Sequence, residues 1–293
     1  MNNNGFSRIG AWREFRILTV QYFRMLMSDK KNLLVSLMFP VLACVIEIWI
    51  AGKNMFYTQE ATKSGCFALV SAAIWGGLFN SIQSIVKDRE NIRRLYVTGL
   101  RFSCYTASRA VLQWILCLLQ SLILTVSFLG VSAVWDRQLP EEGLVVPSVL
   151  LELFISIFLL MYAADLMGMM ISSLVKKTET ANVMAPYILI VQLIFSGVLF
   201  KLENTSKAIS VCMLSRWGME GLGSTCNINN VTLAIERNDK MKQVFDAFPN
   251  LDLSSPDEMF MHTSEHLIHV WLILIGFSVF FLVFGNLLLH RVS

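Results

Sequence analysis

Six long apolar runs separated by short polar segments govern what this chain of 293 residues can become. They are Leu33–Ala51, Gly65–Ile85, Ser108–Trp135, Val146–Val175, Ala181–Phe200 and His266–Leu289. At 1.5 Å of rise per residue, roughly 20 apolar residues are needed for a helix to cross the hydrocarbon core of a bilayer, and each run supplies about that length. A water-soluble fold would have to bury all six with only 15% charged residues to cover them. The solvent of this chain is therefore largely lipid.

Lipid leaves no water for unpaired backbone, which restricts spanning structure to helices and closed barrels. The runs lack strand alternation and regularly spaced turn signals, so helices are expected. A mean hydropathy of +0.58 agrees. With the N-terminus inside, 15 of the 24 Lys and Arg residues fall inside, and only Lys53, Lys63 and Arg137 lie in short outer connections. That asymmetry places both termini in the cytoplasm. Met1–Gly10 is polar and lacks the charged, apolar and small-residue order of a cleavable signal peptide.

The polar pieces differ in kind. In Ala11–Met27, Trp12, Phe15, Leu18, Tyr22 and Met25 recur at helical spacing among Arg13, Arg16 and Arg24. This predicts an amphipathic helix in the headgroup layer. Lys87–Arg109 is short, polar and basic, and predicts a short helix ended by a turn at Gly99. The third inner connection is only KKTET (Lys176–Thr180), in which Thr178 or Thr180 could cap the next helix. Outside, Asp136–Gly143 is a small acidic loop with Pro140. Residues 201–265 form the sizeable outer segment: first a re-entrant or interfacial helical hairpin, then a polar cap with Pro249 and Pro256. The expected fold is all-α and integral to the membrane, with six transmembrane helices in one domain over 1–293.

No GxxxxGK[ST] loop is present, and the Gly52-Lys53 pair lacks the surrounding residues that cradle phosphates. No GxSxG or HExxH motif occurs, and no Cys/His group has metal-ligand spacing. An ionisable residue inside a span costs several kcal/mol unless paired, so Glu47, Glu152 and Asp165 stand out. Glu47 and Glu152, near the outer ends of their spans, could reach headgroup depth or pair with each other or with Lys53. Asp165 lies deeper, in the inner half of its span. A proton-coupled carrier would use such a carboxyl, whereas a hydrogen-bonded structural acid is the commoner case. Asn80 and Gln192 are candidates for lining a pathway or for bonding helix to helix. Cys212 and Cys226 share the outer segment and could be bridged or free. The sequons at Asn204 and Asn230 matter only in a secretory pathway that glycosylates.

Two stretches resemble one family. Ile74–Val111, IWGGLFNSIQSIVKDRENIRRLYVTGLRFSCYTASRAV, is similar to the second span and first coupling helix of ABC type-2 exporter permeases of the ABCG-like class. FSGVLF (Phe195–Phe200) followed by SRWGMEGLG (Ser215–Gly223) resembles the end of that family's fifth span and its re-entrant segment. The order of elements fits over essentially the whole chain.

The resemblance implies an ATP-driven exporter in which this chain is a permease without catalytic residues or a cofactor of its own. ATP and Mg would be bound by separate ATP-binding-cassette ATPase subunits, or by a part of a longer protein. It also implies a second permease copy or a related permease, and no nucleic-acid partner. ATPase coupling would fall on Asp88, Arg89, Ile92, Arg93 and Arg94 with Gly99 at the turn, and a smaller contact on Lys177 and Glu179. A cavity between the second and fifth spans would be lined by Phe79, Asn80, Gln192 and Phe195, with an apolar constriction from Phe195 to Leu199. Walls that apolar suit an amphipathic or lipid-like substrate. The layout points to a bacterial inner membrane. The chain departs from the family at Leu95 and Tyr96, where an acidic residue and an arginine are common.

Overall fold

The computed structural model describes residues 10–52, 55–97, 99–135, 137, 140, 143–200, 204–231 and 258–292. Among these residues the regular structure is helical: α1 (Ala11–Ser28), α2 (Lys30–Ala51), α3 (Gln59–Ser81), α4 (Ser84–Val97), α5 (Phe102–Val134), α6 (Val149–Leu174), α7 (Thr178–Ile194), α8 (Asn204–Ser210), α9 (Leu214–Thr225) and α10 (Ser264–Val292), with two short 3-10 turns. The side chain of Glu47, together with Lys53, Asp136, Pro249 and Pro256, lies outside the described residues.

Four segments among the described residues are long and apolar enough to cross a membrane: Gln59–Val97, Phe102–Val134, Val149–Leu174 and Ser264–Leu289. The other two apolar runs form α2, which contains Pro40, and α7, which has 17 residues and contains Pro186. At 1.5 Å per residue α7 measures about 26 Å, short of the roughly 30 Å hydrocarbon core. The run expected at Ala181–Phe200 does not stay helical: α7 stops at Ile194, and Gly197 three residues on has φ +81°. A left-handed glycine ends the helix at little steric cost.

The centre of the molecule is a seam between α3 and α6 built from small residues. A Cβ on Gly77 would collide with the Met161 carbonyl and sit 2.9 Å from the Asp165 amide nitrogen and 3.1 Å from Ala164 Cβ. A Cβ on Gly168 would sit 2.8 Å from the Leu78 carbonyl. Gly77 and Ser81 thus face Ala164 and Gly168, two small-xxx-small pairs that let backbones approach where lipid supplies no hydrophobic drive. Ser81 Oγ donates to the Asp165 carbonyl across the seam. α9 packs on the middle of the same two helices, where its Gly218 abuts Leu160 of α6 and Val70 of α3. α4 sits at their C-terminal ends, on Ser172.

α10 flanks this core. Trp271 Nε1 donates to Ser156 Oγ of α6 at 2.8 Å. Near its other end Asn286 donates to Ser103 Oγ at 3.2 Å and accepts from Thr106 Oγ1 at 3.2 Å, both on the first turns of α5. α1 packs on α5 through buried Leu18 and Tyr22 while leaving Trp12, Val20, Phe23 and Met25 exposed. Apolar residues on its outward face suit a helix lying against lipid.

Candidate functional site

α4 begins where α3 breaks at Ile82 and Gln83, and its first turn is not left to water. The amides of Ile85 and Val86 both donate to Ser172 Oγ of α6, at 3.1 and 3.0 Å. Early helix amides have no intrahelical partner, so a hydroxyl from another helix caps α4 and joins it to α6 in one contact. Arg89 Nη2 donates to the Ser173 carbonyl at 2.7 Å. Asp88 pairs with Arg109 of α5, whose guanidinium lies 4.1 Å from the centre of the Tyr22 ring of α1. Burial pushes the Tyr22 hydroxyl above its ordinary pKa, partly offset by Arg109. Ile92 is buried. Gln83 donates to Asn182 of α7, so α4 and its lead-in are tied to α5, α6 and α7.

The five residues expected to dock an ATPase therefore divide. Asp88, Arg89 and Ile92 face the membrane body, whereas Arg93 and Arg94 are exposed, together with Leu95, Tyr96 and Val97. Gly99 has φ +102° and closes α4 with two bonds, its own amide to the Tyr96 carbonyl at 2.9 Å and that of Leu100 to the Leu95 carbonyl at 3.0 Å. That is a Schellman ending, which favours glycine. Tyr96 stacks on Phe102 of α5 with ring centres 4.6 Å apart. A ring pair thus occupies this corner. Lys177 and Glu179 are exposed at the start of α7. Lys177, not a threonine, takes the cap position there, and no side chain caps the helix.

Beside α4 runs a crevice of about 430 Å³, bounded by α1, α2, α3, α4 and α5 and lined by Asp29, Lys87, Asp88, Arg109 and Gln113 among others. A second, more apolar cleft of about 370 Å³ adjoins it between α2 and α3, lined by Val35, Phe39, Trp75 and Phe79. Asn32, Ser36, Phe79 and Asn80 line both. Their shared wall is a three-helix polar knot. Asn80 Nδ2 donates to Gln120 Oε1 at 2.6 Å, Ser36 Oγ donates to Asn80 Oδ1 at 3.1 Å, and Gln120 Nε2 donates to Ser36 Oγ at 2.7 Å.

The structure does not bring the expected pathway residues together. Phe79 and Asn80 line the crevices, but Gln192 is buried elsewhere. Its Oε1 accepts from the Ser215 amide of α9 at 3.1 Å, its carbonyl accepts from Ser215 Oγ, and its Nε2 contacts Met167 Sδ at 3.8 Å. Gln192 therefore seats α9 against α7. Phe195 is half-buried and Leu199 exposed. Glu152 is fully buried and pairs with no cation among the described residues: its Oε1 accepts from the amides of Val145 and Val146, which folds the turn before α6. Asp165 is fully buried, its carboxyl oxygens have no hydrogen-bond partner among the described residues, and it lines neither crevice. Cys212 and Cys226 are free thiols, the first exposed and the second buried. The 12 residues of α9 lie between them, about 18 Å of helix, far beyond disulfide reach.

Hydropathy periodicity alone missed Ser36, Arg109, Gln120, Ser172 and Ser215. Each acts through a partner on another helix, and no local pattern marks that. The small-residue spacings Gly77/Ser81 and Ala164/Gly168 were readable signals for the seam.

With this geometry in view, the chain matches the ABC-2 type transporter family over residues 13–225, and it belongs to that family. It is a permease component of an ABC transporter, integral to a membrane. It is also 21% identical over 227 residues to an ABC transporter ATP-binding/permease protein of Mycobacterium tuberculosis, covering 74% of this chain and 26% of the relative. The chain thus spans about a quarter of the length of that relative.

Proposed function

We propose that this chain is the membrane-crossing half of an ATP-driven exporter. In this reading six spans form the permease, both termini lie in the cytoplasm of a bacterial inner-membrane system, and two permease copies or this chain and a related one enclose the path. An amphipathic or lipid-like molecule is moved while ATP and Mg are bound and turned over on an ATP-binding-cassette ATPase. The observation that carries the reading is the mounting of α4. Its inward face is fixed to α6 through Ser172 and Ser173 and to α5 through Arg109, while Arg93 and Arg94 face outward. A helix held rigidly on one face and charged on the other transmits a rigid-body movement, whereas a loose loop absorbs it. Lys177 and Glu179 offer a smaller contact beside it. Family membership does not favour the alternative of a proton-coupled carrier using Asp165 or Glu47.

The test is capture of the chain from its native membrane in mild detergent, followed by mass spectrometry. A stoichiometric ATPase with a phosphate-binding loop is expected, and Arg93→Glu with Arg94→Glu should release it without lowering membrane insertion. Recovery without any ATPase in several detergents would overturn the reading.

A further inference from the structure

The two adjoining crevices are unlike in chemistry, and the difference is ordered along the molecule. At the α4 end Lys87 is exposed and has no ion-pair partner among the described residues. Ser84 Oγ and Arg109 Nε, in the same wall, have no hydrogen-bond partner there either. Across the crevice at the α1–α2 joint stands Asp29, an exposed carboxylate that accepts from the Asn32 side-chain amide at 2.5 Å. Asp88 and Arg109 satisfy one another. What is left is a donor-rich cationic wall on one side and one carboxylate on the other. Beyond the Ser36–Asn80–Gln120 knot the lining turns to Val35, Phe39, Trp75 and Phe79. Val35 is 62% exposed and Phe79 45%. The apolar cleft is therefore open on its outer flank, where lipid tails lie against an integral membrane protein.

We infer that this paired crevice binds a zwitterionic glycerophospholipid taken from the bilayer, with its phosphate toward Lys87 and Ser84, its amine toward Asp29 and an acyl chain along Phe39, Trp75 and Phe79. A head of single charge fits less well. An anion would face Asp29, and a cation would face Lys87. The volumes lie in the range of small-molecule sites, which are mostly apolar with a few placed polar groups. That this lipid is cargo rests on the exporter reading above; that it binds does not.

The test uses the full chain in detergent micelles without any ATPase, and a phosphatidylethanolamine analogue carrying a photoreactive diazirine in its acyl chain. Adducts are mapped by mass spectrometry. They should fall on residues 35–39 and 75–79. Unlabelled phosphatidylethanolamine should compete about five-fold better than phosphatidylglycerol or a cationic dialkyl ammonium lipid, the scale of one interfacial charge. Asp29→Lys should turn the preference toward the anionic lipid and Lys87→Glu toward the cationic one. Both positions are exposed, so the variants should stay monodisperse. Adducts spread evenly over the exposed faces of α2, α5 and α10, or competition indifferent to head charge in all three proteins, would overturn the proposal. Specific labelling of a chain that captures no ATPase would uphold the lipid site and remove the exporter reading; an ATPase captured by a chain with diffuse labelling would do the reverse.

Discussion

Arg89 of α4 reaches the carbonyl of Ser173 at 2.7 Å, which fastens the first turns of a helix with an exposed outer face to the last turn of α6. Together with the Ser172 cap this makes two adjacent serines of α6 the mounting for α4. Such a mount is rigid because it joins backbone to side chain at each point, leaving no long flexible arm except that of Arg89.

Ser172→Ala removes the acceptor for the Ile85 and Val86 amides and leaves both buried without a partner. The expected cost is about 1 kcal/mol, confined to the start of α4. Hydrogen exchange should show the amides of residues 85 and 86 deprotected about five-fold while the middle of α5 is unchanged. Equal exchange in both proteins would mean that another group supplies the cap.

The Asp88–Arg109 pair should be asymmetric to mutation. Arg109→Gln leaves a carboxylate that is 15% exposed without its counter-charge and takes the guanidinium from the Tyr22 ring. A loss of about 3 kcal/mol is expected for it. Asp88→Asn keeps the cation over the ring and should cost about 1 kcal/mol. Thermal unfolding in detergent reads the difference, and the double variant should lose less than the two single losses together. Equal single losses would show that the ring contact contributes nothing.

Gly77→Ala should be among the most damaging single-methyl changes in the chain, because the new Cβ meets backbone on α6 rather than a movable side chain. Overpacking of that kind costs about 3 kcal/mol or more. Gly130→Ala is the internal control: nothing lies within 4 Å of its Cβ, and alanine favours the helix by about 1 kcal/mol. Yield and melting temperature after extraction should fall for the first and hold or rise for the second.

At Gly99 the backbone conformation decides, since nothing lies within 4 Å of a Cβ there but φ is +102°. Gly99→Ala should cost about 1 kcal/mol and Gly99→Asn less, because asparagine tolerates the left-handed region better. The order of the two melting temperatures checks this, and a reversed order would point to crowding instead.

Much of the architecture was legible in the residues. Apolar length located the helices, four of which among the described residues are long and apolar enough to cross a membrane, the mixture of aromatics and arginines located α1, and Gly99 marked the end of α4. The end of α7 was legible too, since Ser196-Gly197 is a turn signal inside an apolar run. There the hydropathy of FSGVLF outweighed it. What one-dimensional pattern does not carry is which face of α4 turns inward. Asp88 and Arg89 look like solvent residues by type, and only Arg109 and Ser173, brought close by packing, make them inward ones. The partner of Gln192 was illegible for the same reason. A span amide bonds whatever the fold sets beside it, and here that is Ser215.

The glycine seam has a mechanical consequence. Helices that touch backbone to backbone along Gly77, Ser81, Ala164 and Gly168 have no layer of side chains to shear, so α3 and α6 behave as one beam rather than two sliding rods. α4 is bolted to one end of that beam and α9 is wedged against its middle, at Leu160 and Val70. A tilt imposed at α4 would therefore reach α9 as an angle, with a stroke set by the half of the beam that separates them.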